Sequence, residues 1–390
     1  MKKVNIFLTI LFLTAGCGGN RQSGIGSDGL ITVDVTKNYP KKELILQDFM
    51  EVEYIALETG GEFYTQGSVR AIGKEIILIM NRIDDGDIFV FDRNGAGLRK
   101  INRMGRGGEE YLSVMGIVLD EDNEEMFVHD YNGQKIMVYD LFGNFKRRIN
   151  NVEGIRYDEI YNFDEESLIC SEIYLELDGA TTDNPPFFII SKQDGSIVKD
   201  IQIPFEKKKS TIMMHIIDNS INMVTVSCIP IIPHNNSWIL TEVSTDTIYR
   251  ILEDYSMSPF ISRTPSIQSM NPEVFLLPSI LTDRYYFMHT VKNEFDFSTN
   301  RGLSRTHLVY DRQEKTIYEY TVHNDDYSDK RVVDMVRESI NSEIAFWQRI
   351  EADDLVEDYE NGVLTGRLKE IAADLEEESN PVIMLVKYKK

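Results

Sequence analysis

The sequence predicts an all-β fold, a six-bladed β-propeller with a C-terminal α-helical appendage and a closing C-terminal strand. Two observations carry this. Five short apolar runs, each ending in a polar turn, fall near positions 90, 138, 189, 249 and 309. No long segment with helical periodicity interrupts residues 31 to about 325. The runs are Ile88-Phe89-Val90-Phe91-Asp92 before Asn94-Gly95, Ile136-Met137-Val138-Tyr139-Asp140 before Gly143-Asn144, Phe187-Phe188-Ile189-Ile190-Ser191 before Asp194-Gly195, Thr247-Ile248-Tyr249-Arg250, and His307-Leu308-Val309-Tyr310-Asp311. Alternating apolar residues that end in Asn, Asp and Gly mark a strand entering a hairpin. After most of them a second strand follows, at Leu98 to Ile101, Phe145 to Ile149, Ile197 to Ile203 and Thr316 to Val322. A repeat of roughly 45–60 residues holding about four strands is the blade unit of a propeller. A parallel-sheet fold would need helical crossovers that are absent here.

The N-terminus reads as an export signal. Met1-Lys2-Lys3 is basic, and Val4 to Ala15 is apolar but too short to span a bilayer. Leu13-Thr14-Ala15-Gly16-Cys17 is similar to a bacterial lipobox, which implies cleavage before Cys17 and lipidation of its thiol. Gly18 to Leu30 is a Gly- and Ser-rich tether. Residue 18 is not the Asp that retains some lipoproteins in the inner membrane, so the expected address is the outer membrane, periplasmic face. The organisation expected is then a leader at 1–16, a tether at 17–30, the propeller at 31–326, an acidic helical appendage at 327–380 and a ring-closing strand at 381–390.

The formal charge is −23, and the mature body is more acidic still once Lys2 and Lys3 are lost. Such a field repels phosphate and excludes an electrostatic nucleic-acid binder. Between residues 351 and 378, eleven Asp and Glu face only Arg367 and Lys369. A solvated face is the simpler reading of that stretch, and a dock for basic partners or divalent cations the sharper one. Val332, Val336, Ile340, Ile344 and Trp347 recur at helical spacing, as do Leu368, Ile371, Ala372 and Leu375. Two amphipathic helices packed on the ring are expected from them. Glu376 to Glu378 then sit at the end of the second helix, against its dipole. Val382 to Val386 is a strong strand, expected to pair with Val52 to Leu57 and so complete a sixth blade shared by the chain ends.

Within the second unit the residues follow a recognisable order. Gly105-Arg106-Gly107-Gly108-Glu109-Glu110-Tyr111 leads to Gly116-Ile117-Val118-Leu119-Asp120, then Met126-Phe127-Val128-His129-Asp130, Lys135-Ile136-Met137-Val138-Tyr139-Asp140 and Gly143-Asn144-Phe145. This segment resembles one NHL repeat, with His129 where the repeat carries a small residue. Together with the leader, the tether, Glu53-Tyr54-Ile55-Ala56-Leu57-Glu58 and the acidic C-terminal region, it is similar to the six-bladed propeller lipoproteins of Bacteroidota. The resemblance implies the fold far better than a function.

Catalytic motifs are sparse. The Gly-rich loop at 105–108 lacks the Gly-Lys-Ser/Thr of a phosphate cradle and leads into another strand. Asp120, Asp130 and Asp140 are placed to cap turns. No His-x-x-x-His, Cys-x-x-Cys or Gly-x-Ser-x-Gly occurs, and Asp120 to Glu125 lacks the Gly and Glu of an EF-hand. Cys170 and Cys228 read as two separate buried thiols rather than a disulfide. The expected function is a monomeric, lipid-anchored binding scaffold engaging an envelope protein, peptide or glycan through its loop face, without a cofactor. The alternative is a hydrolase or lyase using Ca²⁺ or Zn²⁺ at the tunnel mouth, as some six-bladed propellers do. Candidate ligand-binding residues are Arg103, Arg106 and Tyr111 on the Gly-rich loop, and His129.

Overall fold

A computed structural model describes residues 29–82, 85–172, 184–217 and 220–389. The leader, Cys17 and nearly all of the tether lie outside these residues. Six antiparallel blades succeed one another: residues 68–102, 116–150, 157–201, 231–264 and 274–323, then a sixth built from both chain ends. The five apolar runs become the third strands of blades 1 to 5: Asp87–Asp92, Lys135–Asp140, Phe187–Ser191, Thr247–Leu252 and Arg305–Asp311. Four of the strands expected to follow them are the outer strands of blades 1, 2, 3 and 5.

The same turn chemistry recurs between third and fourth strands. Asp92 Oδ1 accepts from the amides of Asn94 and Ala96, and Asp140 Oδ1 from those of Phe142 and Asn144. The glycine that follows has positive φ: Gly95 at +89°, Gly143 at +84°, Gly195 at +77°. A side chain there would be strained, and it would also strike the preceding blade. Gly95 abuts Ala56 and Ile55, Gly143 abuts Ile101, and Gly195 abuts Ile149. Each turn therefore seats one blade against the last, which explains why the Asp-to-Gly signature marks the repeat. Blades 2 and 3 are also joined by a buried ion pair, Lys192 Nζ to Asp120 at 2.6 Å. The Lys192 carbonyl accepts from Arg147, whose guanidinium grips Glu125 through two bonds of 2.7 Å.

The first described strands belt the ring. Ile31–Asp34 adds in parallel to the outer strand of blade 4, and Lys41–Ile45 to that of blade 5. Met50–Ala56 then becomes the outer strand of blade 6, so three otherwise open edges are covered. Its partner is Val382–Tyr388, in register from Met50 opposite Tyr388 to Ala56 opposite Val382. The expected closure thus forms.

The first of the two expected helices does not form. Residues 332 to 347 are not a helix: Val332–Val333 is a short strand, residues 334 to 343 are irregular, and Ile344–Ile350 is a strand paired to Val382–Tyr388. The run Ile344-Ala345-Phe346-Trp347 favours a sheet that offers it a buried face, and that tertiary gain outweighs a coincidental spacing. The helices of this C-terminal region are Ala352–Glu360 and Gly366–Ala372, inserted between the last two strands. Leu355, Leu368, Ile371 and Ala372 are buried in one core with Tyr54, Phe287 and Met384. Because the second helix ends at Ala372, Glu376 to Glu378 lie beyond the reach of its dipole, and the conflict expected there does not arise. Asp353 and Asp354 occupy the first turn of the other helix, where the dipole favours them. Cys170 and Cys228 are both free thiols, the first buried and the second half-buried.

Val382, Ile383, Met384, Leu385 and Val386 are each at most 1% exposed. At about 1.5–3 kcal/mol per buried apolar side chain, their loss removes on the order of 10 kcal/mol, as much as a whole domain's net stability. Deleting residues 381–390 is predicted to abolish cooperative thermal unfolding, followed by circular dichroism. An unchanged Tm would contradict the closure.

Candidate functional site

Along the ring axis runs a cavity of about 540 Å³, walled by blades 1, 2, 3, 4 and 6. Its walls are the first strands of blades 1 to 3, the turn from Pro233 to Trp238 in blade 4, the irregular segment 338–343, and Ile344 and Trp347 of the first strand of blade 6. Two of these inner strands are bulged. Pairing shifts between Val69 and Ala71, around Arg70, and between Tyr157 and Ile160, around Asp158 and Glu159. A bulge places an extra residue on one strand and re-aims its side chain, a device common beside functional sites. The irregular segment of blade 6 supplies Glu338.

These three departures from regular sheet converge. Tyr161 donates its hydroxyl to Glu338 Oε1 at 2.8 Å, joining blade 3 to blade 6. Glu159 and Glu338 are close enough for each charge to act on the other, and Arg70 faces both. Glu338 is exposed on the cavity surface but surrounded by its walls, while Glu159 and Arg70 are half-buried. Enclosure pushes the Glu159 carboxyl well above the usual carboxylate range. The neighbouring Glu338 and Asp158 push it the same way, and Arg70 opposes them. Glu338 is also raised by enclosure, against the pull of the Tyr161 hydroxyl and Arg70. Arg70 Nε has no hydrogen-bond partner among the described residues. Glu159 so raised holds its proton at neutral pH, so Arg70 is matched by Glu338 at the axis, and the acidic character of the cavity comes from the further Glu253 and Glu343 in its wall.

The mouth is polar and aromatic. Glu121 accepts from the amides of Lys74, Glu75 and Ile76, closing the turn of blade 1 against that of blade 2. Lys74 Nζ meets Asp122 at 2.6 Å. The chain's two tryptophans, Trp238 and Trp347, both line this cavity. Phe163 stacks on Trp238 and on Tyr255. His234 borders the cavity as a neutral imidazole, its pKa drawn down to about 4 by burial and by Arg250 and Arg312.

The residues singled out by sequence lie elsewhere. None of Arg103, Arg106, Tyr111 and His129 lines the axial cavity. Tyr111 is fully buried; its hydroxyl donates to the Gly86 carbonyl at 2.7 Å and accepts from the Arg103 amide at 3.0 Å. Arg103 Nε donates to the Gly143 carbonyl of blade 2, and Arg106 is exposed on the same loop. His129 is 1% exposed, and its Nε2 lacks a partner among the described residues. Asp130 and Asp140 cap turns, Asp130 by accepting from the amides of Leu112, Ser113 and Gly133.

A family model, Domain of unknown function (DUF4934), matches residues 30–387. The chain belongs to the DUF4934 family. No curated protein matches the sequence. Among solved structures, this DUF4934 chain is similar to a Bacteroides fragilis NCTC 9343 protein named as exported. That pair has 15% identity and a TM-score of 0.57 over 93% of this chain and all of the other. A DUF4221 member from Bacteroides vulgatus ATCC 8482 shares 10% identity and a TM-score of 0.47, covering 88% of this chain and 98% of its own. Virginiamycin B lyase from Staphylococcus aureus shares 11% identity and a TM-score of 0.39, covering 87% of this chain and all of its own. These likenesses concern the fold. No helix among the described residues is long and apolar enough to cross a membrane.

The raised Glu159 carboxyl makes stability depend on pH. The unfolded group ionises near its ordinary value of 4.5, whereas the folded one keeps its proton to higher pH. Stability contributed at low pH is therefore lost as pH rises from about 4.5 through the folded value. Asp158, Glu338, Tyr161 and Arg70 face this group and are unchanged in Glu159→Gln, which cannot ionise. The variant is predicted to gain Tm over wild type at pH 8 and much less at pH 5, by differential scanning calorimetry. A difference independent of pH would refute the enclosure of Glu159.

Proposed function

We propose that this propeller is an exported, lipid-anchored binding module of the cell envelope and that its ligand, a protein segment, peptide or glycan, enters the axial cavity. The observation that carries the reading is the convergence of Arg70, Glu159 and Glu338 in a cavity bearing both tryptophans. A concave site with aromatic walls and a few placed polar groups is the usual form of a ligand pocket. The similarity to an exported Bacteroides protein supports the compartment. The lipobox-like Leu13 to Cys17 supports an anchor on Cys17, and residue 18 supports the outer membrane, periplasmic face. The metal-dependent alternative has less support: among the described residues no three His, Cys, Asp or Glu side chains are grouped to hold an ion.

Two measurements check this. With a photo-crosslinking residue in place of Trp347, cells should yield a discrete adduct that is absent when the same residue replaces Leu98, exposed on the outer strand of blade 1. Equal labelling at both positions, or at neither, counts against the axial site. In the same cells Cys17→Ser should abolish incorporation of an alkyne-tagged fatty acid and move the protein out of the membrane fraction, whereas retained label would exclude Cys17 as the anchor.

A further inference from the structure

The axial cavity borders a second one along a common wall, the two together making a trough. The second, of about 480 Å³, shares four wall residues with the axial cavity: Pro233, His234, Ser342 and Glu343. From there it passes the turn Leu281 to Arg284 of blade 5 and reaches Phe49, Tyr388 and Lys389 at the seam that closes the ring. A compact metabolite fills one such chamber, whereas an extended chain advancing about 3.3 Å per residue fills both.

The charges of the trough select among chains. Among the described residues its cations are already engaged, with one exception. Lys74 is held by Asp122 at 2.6 Å, Arg284 by Asp311 at 3.1 Å, and Lys389 Nζ by the Gln47 and Asp48 carbonyls at 2.7 and 3.1 Å. Arg70 remains, and it faces two carboxylates. Glu343, in the wall shared by both cavities, adds a further carboxylate along the path. At the axis an incoming cation favours the ionised forms of Glu159 and Glu338, in a site partly withdrawn from water where that pairing is worth far more than in bulk solvent. An anionic chain meets the wall carboxyl groups Glu253, Glu338 and Glu343, and a neutral glycan offers them no counter-charge. The indole faces of Trp238 and Trp347 suit the methylene stem and the cationic head of a basic side chain.

We propose that the trough binds an extended peptide, and that one lysine or arginine side chain of it enters the axial cavity to lie against Glu159 and Glu338. This rests on the reading of the axial cavity as the ligand site. It names the ligand's chemistry: a peptide carrying a single buried cation, with its backbone running outward past His234 and Glu343.

The test uses the mature protein and bead libraries of acetylated pentapeptides whose central residue is Lys, norleucine or Glu and whose neighbours are randomised. Lys beads should retain at least tenfold more protein than norleucine beads, and Glu beads none. Eluted Lys peptides should change the tryptophan fluorescence, since both indoles line the cavity. In Glu159→Gln/Glu338→Gln the preference for Lys over norleucine should collapse towards one. Glu378→Gln, outside the trough, should keep it, and equal Tm values at pH 5 would show that the double variant is folded. Equal retention on Lys and norleucine beads overturns recognition of the cation. So does a neutral oligosaccharide that quenches the tryptophans when no peptide does, although the axial site then stands. Absence of any adduct at position 347 in cells would instead remove the reading beneath the proposal.

Discussion

The pairing of Met50–Ala56 with Val382–Tyr388 is the constraint on which the rest of the molecule depends. It joins opposite ends of the described chain, so its contacts are among the most distant in sequence and the last to repay loop-closure entropy. What repays it is burial on both faces of the final strand: Val382, Met384 and Val386 join a core that takes in both helices and blade 5, while Ile383 and Leu385 pack with blade 1. Because the first described strands also edge blades 4 and 5, the N-terminal region acts as a belt drawn through three blades. Only when that belt is fastened does the segment carrying Glu338 face blades 1 and 3.

The axial site follows from this closure. The group that receives the Tyr161 hydroxyl is 177 residues away in sequence and belongs to the blade completed last. A regular inner strand would turn its side chains in strict alternation. The bulges at Arg70 and Glu159 break that alternation in two blades, and the sixth blade abandons the ladder altogether along residues 334 to 343. Enclosing two carboxylates costs stability, since burial disfavours their charged forms and each opposes the other. Three irregularities that bring costly groups together are the kind of local conflict that marks a candidate functional site.

The repeat was legible because its signals are local. A strand of alternating apolar residues, an Asp that caps the next turn and a Gly that must approach the previous blade all lie within about eight residues, so blades 1 to 3 can be read directly from the chain. The closing strand was legible for the same reason, as an unbroken β-branched and apolar run. The segment 332–347 misled because helical spacing there joined residues of three environments: exposed Val332, a turn at Ile340, and a strand from Ile344. Arg103, Arg106, Tyr111 and His129 drew attention as departures or polar groups within the best-preserved repeat. Yet in that repeat Tyr111 and Arg103 spend their hydrogen bonds on holding the loop to its neighbours. Arg70, Glu159 and Glu338 carry no motif, since a bulge leaves no mark in composition and the three are brought together only by the ring. A charged residue amid an inner-strand pattern, as in Val69-Arg70-Ala71 or Asp158-Glu159-Ile160, is the one signal that could have pointed to them.

If closure governs the whole, the amides of Met50–Ala56 and Val382–Tyr388 cannot open independently of the ring. Native-state hydrogen exchange measures this most directly. The account predicts that amides hydrogen-bonded in this pairing exchange only by global unfolding, with the same free energy and denaturant dependence as the central strands of blade 2. Exchange of the blade 6 amides through a lower-energy, sub-global opening, with blade 2 still protected, would contradict it.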